Sequence, residues 1–172
     1  MTGPTDHTGD AGHPAPAGRP GPAATGRPRP PAAPPESPAP PPLLRVNPPQ
    51  LSPPTGFSHA VTATGGRLVF LAGQTALDGA GSIVGATLPD QFRRALTNLL
   101  TALAAAGGAP CDLARLTVHT TDVAAYRASA PELGRIWREL AGRDYPAMAV
   151  IGVVRLWDEA ALVELDGIAV VP

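Results

Sequence analysis

The stretch PAMAVIGVV, residues 146–154, decides the fold of this chain. It contains no charged, hydroxyl or amide side chain, and Arg155 follows it directly. A strand whose sheet has one solvated face alternates apolar and polar side chains, whereas this segment is apolar at both alternating positions. We therefore expect a strand, over residues 147–154, that is covered on both of its faces.

The chain on either side of this segment has the patterns of further strands. Segments 57–63 and 68–72 flank a Gly-Gly turn at 65–66, which predicts an antiparallel hairpin. Residues 113–122 alternate between apolar and polar side chains, and residues 161–170 are apolar apart from two carboxylates. With the segment above, these strands predict a mixed sheet of the six-stranded type.

Two other segments have the start signals and the apolar spacing of helices. A capping box of Thr87 and Asp90 opens the first, and a box of Ser129 and Glu132 opens the second. Apolar residues then recur at spacings of three and four: Phe92, Ala95, Leu96, Leu99, Leu103 and Ala106 in the first, and Leu133, Ile136, Trp137 and Leu140 in the second. The order ββ-α-β-α-ββ predicts an α+β sandwich with two helices on one face of the sheet.

The predicted helices cover one face of the sheet and leave the other without a partner. Since residues 147–154 are apolar at both alternating positions, the second face needs a cover as well. Two covers are compatible with the sequence. The simpler is self-association, in which the sheets of neighbouring subunits form a shared core; the alternative is the lead-in LLRVNPPQLSPP at 43–54.

Residues 1–42 differ in composition from the rest of the chain, because they hold 14 of its 23 prolines and are otherwise mostly Gly, Ala and Thr. Such a segment buries too little apolar surface to offset its ordering entropy. We therefore expect a disordered or partly polyproline II tail over 1–42 and one folded domain over 43–172. The PxxP spacing leaves recruitment of a partner by the tail open.

Composition excludes several classes of function. A net charge of −1 and a pI near 6.4 give no reason to expect a nucleic acid or an anionic membrane as partner, and no apolar stretch is long enough to span a bilayer. All 13 cationic residues are Arg, so lysine Schiff-base chemistry is excluded. The histidines and the single cysteine, Cys111, have no recognised metal-ligand spacing. We expect no metal, no cofactor, and a cytoplasmic protein, since one cysteine suits a reducing compartment.

Glu164 is the strongest candidate for chemistry. It lies in the apolar segment ALVELDGIAV and shares a strand face with Leu162, Asp166 and Ile168. A desolvated carboxylate with a raised pKa suits a general base that activates water. The alternative is a carboxylate at the edge of an interface, paired with an arginine such as Arg155.

Other polar residues have weaker claims. Gly73-Gln74 follows a strand, where a glycine allows close approach to a ligand or simply makes a tight turn. His59 and His119 each lie in a strand, where a single histidine is usually a structural hydrogen-bonding residue. Cys111 has no adjacent base, so a nucleophilic role is not expected.

Taken together, four stretches resemble the RidA/YjgF family of reactive-intermediate deaminases. They span the whole folded domain and occur in the family's order: GFSHAV (56–61), LVFLAGQ (68–74) with Asp78 and Gly81 after it, the Gln91 helix ending in LAAAGG, and PAMAVIGVVRL (146–156) followed by LVELDGIAV. Each is weak alone, but the set is specific. The resemblance implies a chorismate-mutase-like α+β sandwich assembled as a homotrimer.

The resemblance also implies an activity, the hydrolysis of enamines and imines to carbonyl compounds and ammonia without a cofactor. In the family, clefts between subunits hold an arginine that grips the substrate carboxylate and a glutamate that positions water. Carried over, the glutamate is Glu164, the glycine of the turn is Gly73 and the first-strand serine is Ser58. The tyrosine position is Phe57, which keeps the ring without the hydroxyl, and the arginine position is Met148.

A methionine at the arginine position changes the expected substrate. A thioether cannot bind a carboxylate, so the sequence is similar to an arginine-lacking branch of the family. We expect Glu164 as general base, polar contacts from Ser58 and Gly73, and an apolar wall of Phe57, Met148 and Val150. The expected ligand is a small imine, enamine or related compound that is less anionic or more apolar than 2-iminopropionate. The alternative is a non-catalytic trimer that binds small molecules.

Overall fold

The computed structural model describes residues 43–172, and the proline-rich segment expected to form a tail lies outside the described residues. The elements, in chain order, are β1 (Leu43–Val46), β2 (Ala60–Ala63), β3 (Arg67–Gln74), α1 (Leu88–Ala105), a short 3-10 turn (Pro110–Asp112), β4 (Leu113–Thr120), α2 (Val123–Ala128), α3 (Ala130–Leu140), β5 (Ala147–Gly152) and β6 (Val163–Val171). In the described part, no helix is long and apolar enough to cross a membrane.

The strands form a mixed sheet and a smaller sheet beside it. The four-stranded sheet has the order β3-β6-β4-β5, in which only β4 and β5 run parallel, and β1 pairs with β2 in a two-stranded antiparallel sheet. A single parallel bridge between Ser58 and Ala147 connects the two sheets. This arrangement confirms the predicted α+β class with a mixed sheet.

The predicted hairpin between 57–63 and 68–72 is wrong. β2 pairs with β1, in the register Ala60 opposite Val46, and β3 pairs with β6, in the register Arg67 opposite Val171. The Gly-Gly turn does reverse the chain, with positive φ at both residues. The adjacent segments find better partners elsewhere, because nine-residue β6 offers β3 a long antiparallel ladder and the lead-in supplies β1.

Helix α1 begins where its capping box predicts. The Thr87 hydroxyl accepts a hydrogen bond from the backbone N–H of Asp90, and the Asp90 carboxylate accepts one from the backbone N–H of Thr87. The predicted apolar stripe packs onto the sheet, and Ala95, Leu96, Leu99 and Leu103 are fully buried there. Local sequence therefore determines both the start and the buried face of this helix.

The second capping box is not formed. Ser129 has helical φ and ψ and makes no capping hydrogen bond with its side chain. The chain already turns helical at Val123, because the Asp122 carboxylate accepts a hydrogen bond from the backbone N–H of Ala125. The predicted helix is α3, which buries the predicted Leu133, Ile136 and Trp137, and the short α2 that precedes it was not predicted.

The helices lie on one face of the four-stranded sheet, and the other face carries exposed apolar side chains. Burial alternates along β6, so Val163 and Leu165 point to the core while Glu164, Asp166 and Ile168 point away from it. On this outer face, Leu68 is 59%, Phe70 74% and Ile151 44% exposed in a single chain. Apolar side chains on β3 and β5 are thus exposed in a single chain, on either side of the polar His119, Glu164 and Asp166 of the two central strands.

Candidate active site

A groove of about 880 Å³ opens on the helix side of the sheet. It lies between β5, helices α1, α2 and α3, and the segment that precedes β2. Aromatic and apolar side chains dominate its wall: Phe57, Phe92, Tyr126, Leu133, Trp137, Tyr145, Met148 and Val150. An apolar concavity of this size is the usual form of a small-molecule site.

Two stacked rings make one wall of the groove rigid. The rings of Trp137 and Tyr145 lie 5.2 Å apart at an interplanar angle of 17°, and the Trp137 indole N–H donates to the Asp144 carbonyl oxygen at 3.2 Å. Burial raises the pKa of Tyr126 to about 12, so its hydroxyl stays protonated at physiological pH. The groove thus holds fixed aromatic surface and a neutral hydroxyl.

The register of β5 directs Met148 and Val150 into this groove. Met148 pairs with Leu116 of β4 and Val150 with Val118, and both β4 residues are fully buried on the helix face. Side chains of paired residues lie on the same face of a sheet. Three predicted wall residues, Phe57, Met148 and Val150, therefore lie together.

Ser58 holds this wall in place. Its side-chain hydroxyl donates to the Tyr145 carbonyl oxygen at 2.7 Å, and its backbone N–H donates to the Pro146 carbonyl oxygen at 2.9 Å. The residue is buried, since only 5% of it is exposed. In a single chain, Ser58 joins the strand that follows Phe57 to the strand that carries Met148.

Glu164 and Gly73 form a second cluster on the outer face. A methyl group added to Gly73 would lie 2.8 Å from Cδ of Glu164 and would collide with its carboxylate oxygen. The β3–β6 register shifts between Leu71 and Gln74, at the position of this glycine. Gly73 therefore does not make a tight turn. Its missing side chain makes room for the Glu164 carboxylate.

Helix α1 fixes the segment that leads into Glu164. The buried amide of Gln91 donates to the Ala160 carbonyl oxygen at 3.0 Å and accepts from the Leu162 N–H at 2.8 Å. Two residues later the chain reaches Glu164, whose cross-strand neighbour is His119. The oxygen and the nitrogen of the Gln91 amide thus both hold the residues before β6. These hydrogen bonds fix the backbone that leads to the Glu164 carboxylate.

Glu164 is bound neither to the predicted partner Arg155 nor to its cross-strand neighbour His119. His119 instead pairs with Asp166, with 2.8 Å between Nε2 and Oδ2. Within residues 43–172, Arg155 forms no ion pair, and it lines a shallow depression with Leu156 and Trp157. In the described chain Glu164 is therefore half-buried and available from the outer face.

The two clusters lie on opposite faces of the sheet. Met148 pairs with Leu116, whereas Glu164 pairs with His119, three residues further along β4. Because side chains alternate along a strand, an odd separation places the two on different faces. One chain thus carries the predicted site residues as two separate halves, the groove and the Glu164–Gly73 pair.

Comparison with known proteins identifies the family. The family model described as endoribonuclease L-PSP matches residues 49–171. A RutC family protein from Pyrococcus horikoshii is 32% identical over 114 residues, which cover 66% of this chain and 85% of the relative. The chain belongs to the RidA/YjgF family.

Solved structures of RidA/YjgF relatives share the fold. The Rid family protein YyfB from Yersinia pestis is 32% identical, with a TM-score of 0.69 over 76% of this chain and 99% of that chain. Escherichia coli TdcF with bound serine is 27% identical, with a TM-score of 0.56 over 71% and 91% of the two chains. The folded domain of this RidA/YjgF protein therefore corresponds to nearly the whole length of these relatives.

Of the remaining polar candidates in this RidA/YjgF domain, His59 makes structural hydrogen bonds and Cys111 is an exposed free thiol. The His59 ring hydrogen-bonds the Ser52 carbonyl oxygen at 2.8 Å, and its backbone N–H donates to the Asn47 side chain at 2.9 Å. Burial raises the pKa of the Cys111 thiol, which lowers its reactivity. Among residues 43–172, no group of three or more His, Cys, Asp or Glu side chains is placed to hold a metal ion.

Several groove residues were not anticipated as site residues. Trp137 was assigned to the core from its helical spacing, and only 2% of it is exposed, yet one edge of it lines the groove. Gly134 and Arg138, one turn apart on α3, also line the groove. The signal in the sequence was the glycine inside an otherwise regular amphipathic helix, a position where glycine weakens the helix and needs a reason.

Proposed function

We propose that this RidA/YjgF protein hydrolyses small reactive imines and enamines to carbonyl compounds and ammonia, in clefts between the subunits of a homotrimer. One observation carries the proposal: the groove with Met148 and the Glu164–Gly73 pair lie on opposite faces of the same sheet. A second copy that docks on the outer face brings its own groove toward Glu164. Each complete site then has one half from each of two chains.

The outer face supports this assembly. It presents the exposed side chains of Leu68, Phe70 and Ile151 beside the half-buried Glu164. These apolar side chains lie on β3 and β5, the two edge strands of the four-stranded sheet, and their burial in an interface is favourable. Closed rings of identical subunits bury such a face in every copy.

The proposed reaction needs only water and a base. An enamine first tautomerises to its imine, and the Glu164 carboxylate then takes a proton from water as the oxygen adds to the C=N carbon. The protonated Glu164 gives that proton to nitrogen, which completes the carbinolamine. Glu164 then takes the hydroxyl proton and passes it to nitrogen as the C–N bond breaks and the C=O bond forms, and ammonia leaves. Imine and water are thereby converted to a carbonyl compound and ammonia, and Glu164 returns to its starting form.

Met148 sets the substrate range in this proposal. A two-pronged contact between arginine and a carboxylate is among the stronger polar contacts available to a site. A methionine side chain offers dispersion contacts and no charge. The preferred substrate therefore has more apolar surface than 2-iminopropionate and does not depend on a cation at position 148.

The test is ammonia release from 2-iminopropionate and from an uncharged imine with a larger apolar group. We expect the native chain to favour the second. Glu164→Gln should lower its rate about 100-fold, within the range of a lost general base. Met148→Arg should raise the rate on 2-iminopropionate about tenfold without a gain on the uncharged imine.

Glu159→Gln is the matched control, because Glu159 is exposed and lies outside both clusters. It should leave every rate unchanged. If native chain, Glu164→Gln and Met148→Arg all release ammonia no faster than buffer, the catalytic proposal is wrong.

The second candidate is a trimer of the same fold that binds small molecules without turnover. The observation that favours it is Met148 itself, since the charged contact to a carboxylate is missing at that position. This candidate predicts a raised melting temperature with ligand and no ammonia release.

A further inference from the structure

The groove is larger than a three-carbon imine requires. Its volume is about 880 Å³, which is toward the upper end of the range of about 300–1,000 Å³ for sites that hold drug-sized ligands. Four rings line it, of which Phe57 and Tyr126 are half-buried and offer surface, whereas Phe92 and Trp137 are each only 2% exposed. Such surface complements a flat apolar group of comparable size.

Gly134 opens the groove on the side of α3. Gly134 lines the groove, and a methyl group added there would meet only Nη1 of Arg138, at 3.4 Å. Glycine is unfavourable inside a helix, so its presence here has a structural consequence. It leaves space in the groove and lets the guanidinium of the next turn fold back along the helix.

Arg138 is the one cation among the described residues that line the groove. Its guanidinium donates to no residue between 43 and 172, whereas its helical neighbour Arg135 pairs with Glu132 and Glu139. No carboxylate side chain in the described part of the chain lines the groove to neutralise Arg138. An unpaired planar guanidinium at the border of an apolar groove fits a ligand carboxylate.

We propose that the substrate has an aromatic or branched apolar body that fills this groove, and that Arg138 holds its carboxylate in place of a residue at position 148. The inference rests on the proposed function and assigns the substrate class of the same site. Arg138 is a binding residue in this scheme, and Gly134 determines specificity by leaving room for the apolar body.

The test measures binding of three probes to the full-length chain by titration calorimetry. Phenylpyruvate has both the ring and the carboxylate, phenylacetone has the ring with a methyl group in place of the carboxylate, and pyruvate has the carboxylate without the ring. We expect phenylpyruvate to bind at least about tenfold more tightly than either of the others, since a charge-assisted pair and a buried ring each contribute about that factor.

Variants then separate the two contacts. Arg138→Gln should reduce phenylpyruvate affinity about tenfold, to the level of phenylacetone, and should leave phenylacetone unchanged. Arg135→Gln is the matched control, on the same helix but outside the groove, and should change neither affinity. Gly134→Leu should weaken phenylpyruvate and phenylacetone alike, because its side chain occupies the groove. Circular dichroism confirms that each variant is folded.

The outcomes distinguish this inference from the proposed function. Equal phenylpyruvate affinity in the native chain and in Arg138→Gln would overturn the role of Arg138, even if imines are hydrolysed. Equal affinity for phenylpyruvate and pyruvate would overturn the role of the groove. Tight, Arg138-dependent binding without ammonia release from any imine would support the ligand class and contradict the proposed hydrolysis.

Discussion

Glu164 lies directly over the α-carbon of Gly73, and the glycine is what permits this contact. Gly73→Ala should therefore displace the carboxylate, since the added methyl group cannot share its space. We expect imine hydrolysis to fall about 100-fold, because a displacement of about 1 Å at a reacting group has effects of this size. Ammonia release and the melting temperature of the variant measure the two consequences separately.

Gly79→Ala provides the control for this substitution. A methyl group there meets nothing within 4 Å. The rate of ammonia release should therefore be native, and the free energy of unfolding should stay within about 0.5 kcal/mol of the native value. Native activity in Gly73→Ala would show that the position of the Glu164 carboxylate is unimportant for the reaction.

Asp78 gives the domain a pH-dependent contribution to stability. Its carboxylate accepts hydrogen bonds from the backbone N–H groups of Ser82 and Ala80, both at 2.9 Å, and these bonds lower its pKa below the ordinary 3.8. A pKa lowered by folding contributes stability above the ordinary value, and the contribution is lost as the pH falls through the folded-state pKa. The loop 78–82 should therefore loosen in acid.

Asp78→Ala should lower the melting temperature at pH 7, and the difference from the native chain should shrink as the pH falls below about 4. Thermal unfolding over a pH series measures this difference. Glu159→Ala is the comparison, since Glu159 is exposed and its side chain accepts no hydrogen bond from residues 43–172. A melting-temperature difference for Asp78→Ala that is the same at pH 7 and pH 3 would contradict the prediction.

At the scale of elements, one substitution has opposite effects in a strand and in a helix. A methyl group on Gly167, in central strand β6, would lie 2.9 Å from the Arg115 carbonyl oxygen. Backbone atoms of a central strand cannot move aside, so Gly167→Ala should destabilise the domain by about 1–3 kcal/mol. In α3, Gly134→Ala should stabilise it by up to about 1 kcal/mol, because alanine is the better helix former.

Urea unfolding of the two variants measures both free energies. If Gly167→Ala unfolds at the native midpoint, the close approach of β4 and β6 at this residue does not limit side-chain size. If Gly134→Ala is destabilised instead, α3 at this position is constrained by more than helix propensity.

The sequence predicted correctly those features that depend on residues close together in the chain, and it failed where distant segments pair. The start of α1 and its buried stripe were predicted because capping and helical spacing are local. The hairpin at residues 57–72 was wrong because strand partners are chosen across the whole chain, and β3 pairs with β6, the last strand, rather than with its neighbour in sequence. The capping box at Ser129 was wrong because Asp122 begins the helical turn earlier.

The candidate site was predictable as a set of residues and not as an arrangement. Residue type and the family resemblance indicated Glu164, Gly73 and Met148. That Met148 and Glu164 lie on opposite faces follows from how β4 pairs with β5 and with β6, and these pairings are not local in sequence. The part of the groove on α3 was missed because helical spacing shows which residues face the core and does not show that Gly134 and Arg138 line a groove.

At the scale of the whole molecule, the proposed trimer buries the outer face of the sheet. Phe70 is 74% exposed there in a single chain. We expect light scattering to give three times the 17.4 kDa chain mass for the native protein. Phe70→Glu should give smaller species, because a charge on this face opposes burial, and it should also abolish imine hydrolysis.

Val123→Glu is the control for this substitution. Val123 is 42% exposed but lies in the first turn of α2, on the helix side of the sheet. This variant should keep the native mass and activity. A native chain that sediments at its single-chain mass would contradict the proposed assembly.

The opposite faces of Met148 and Glu164 have a consequence for mixtures of variant chains. In the proposed ring, every site joins the groove of one chain to the carboxylate of its neighbour, so damage to a groove and damage to a carboxylate can fall on different partners. A chain with Gln at position 164 keeps its groove, and a chain with Leu at position 134 keeps its carboxylate. Reassembled together in equal amounts, the two impaired proteins would regain an undamaged site at about a quarter of their interfaces.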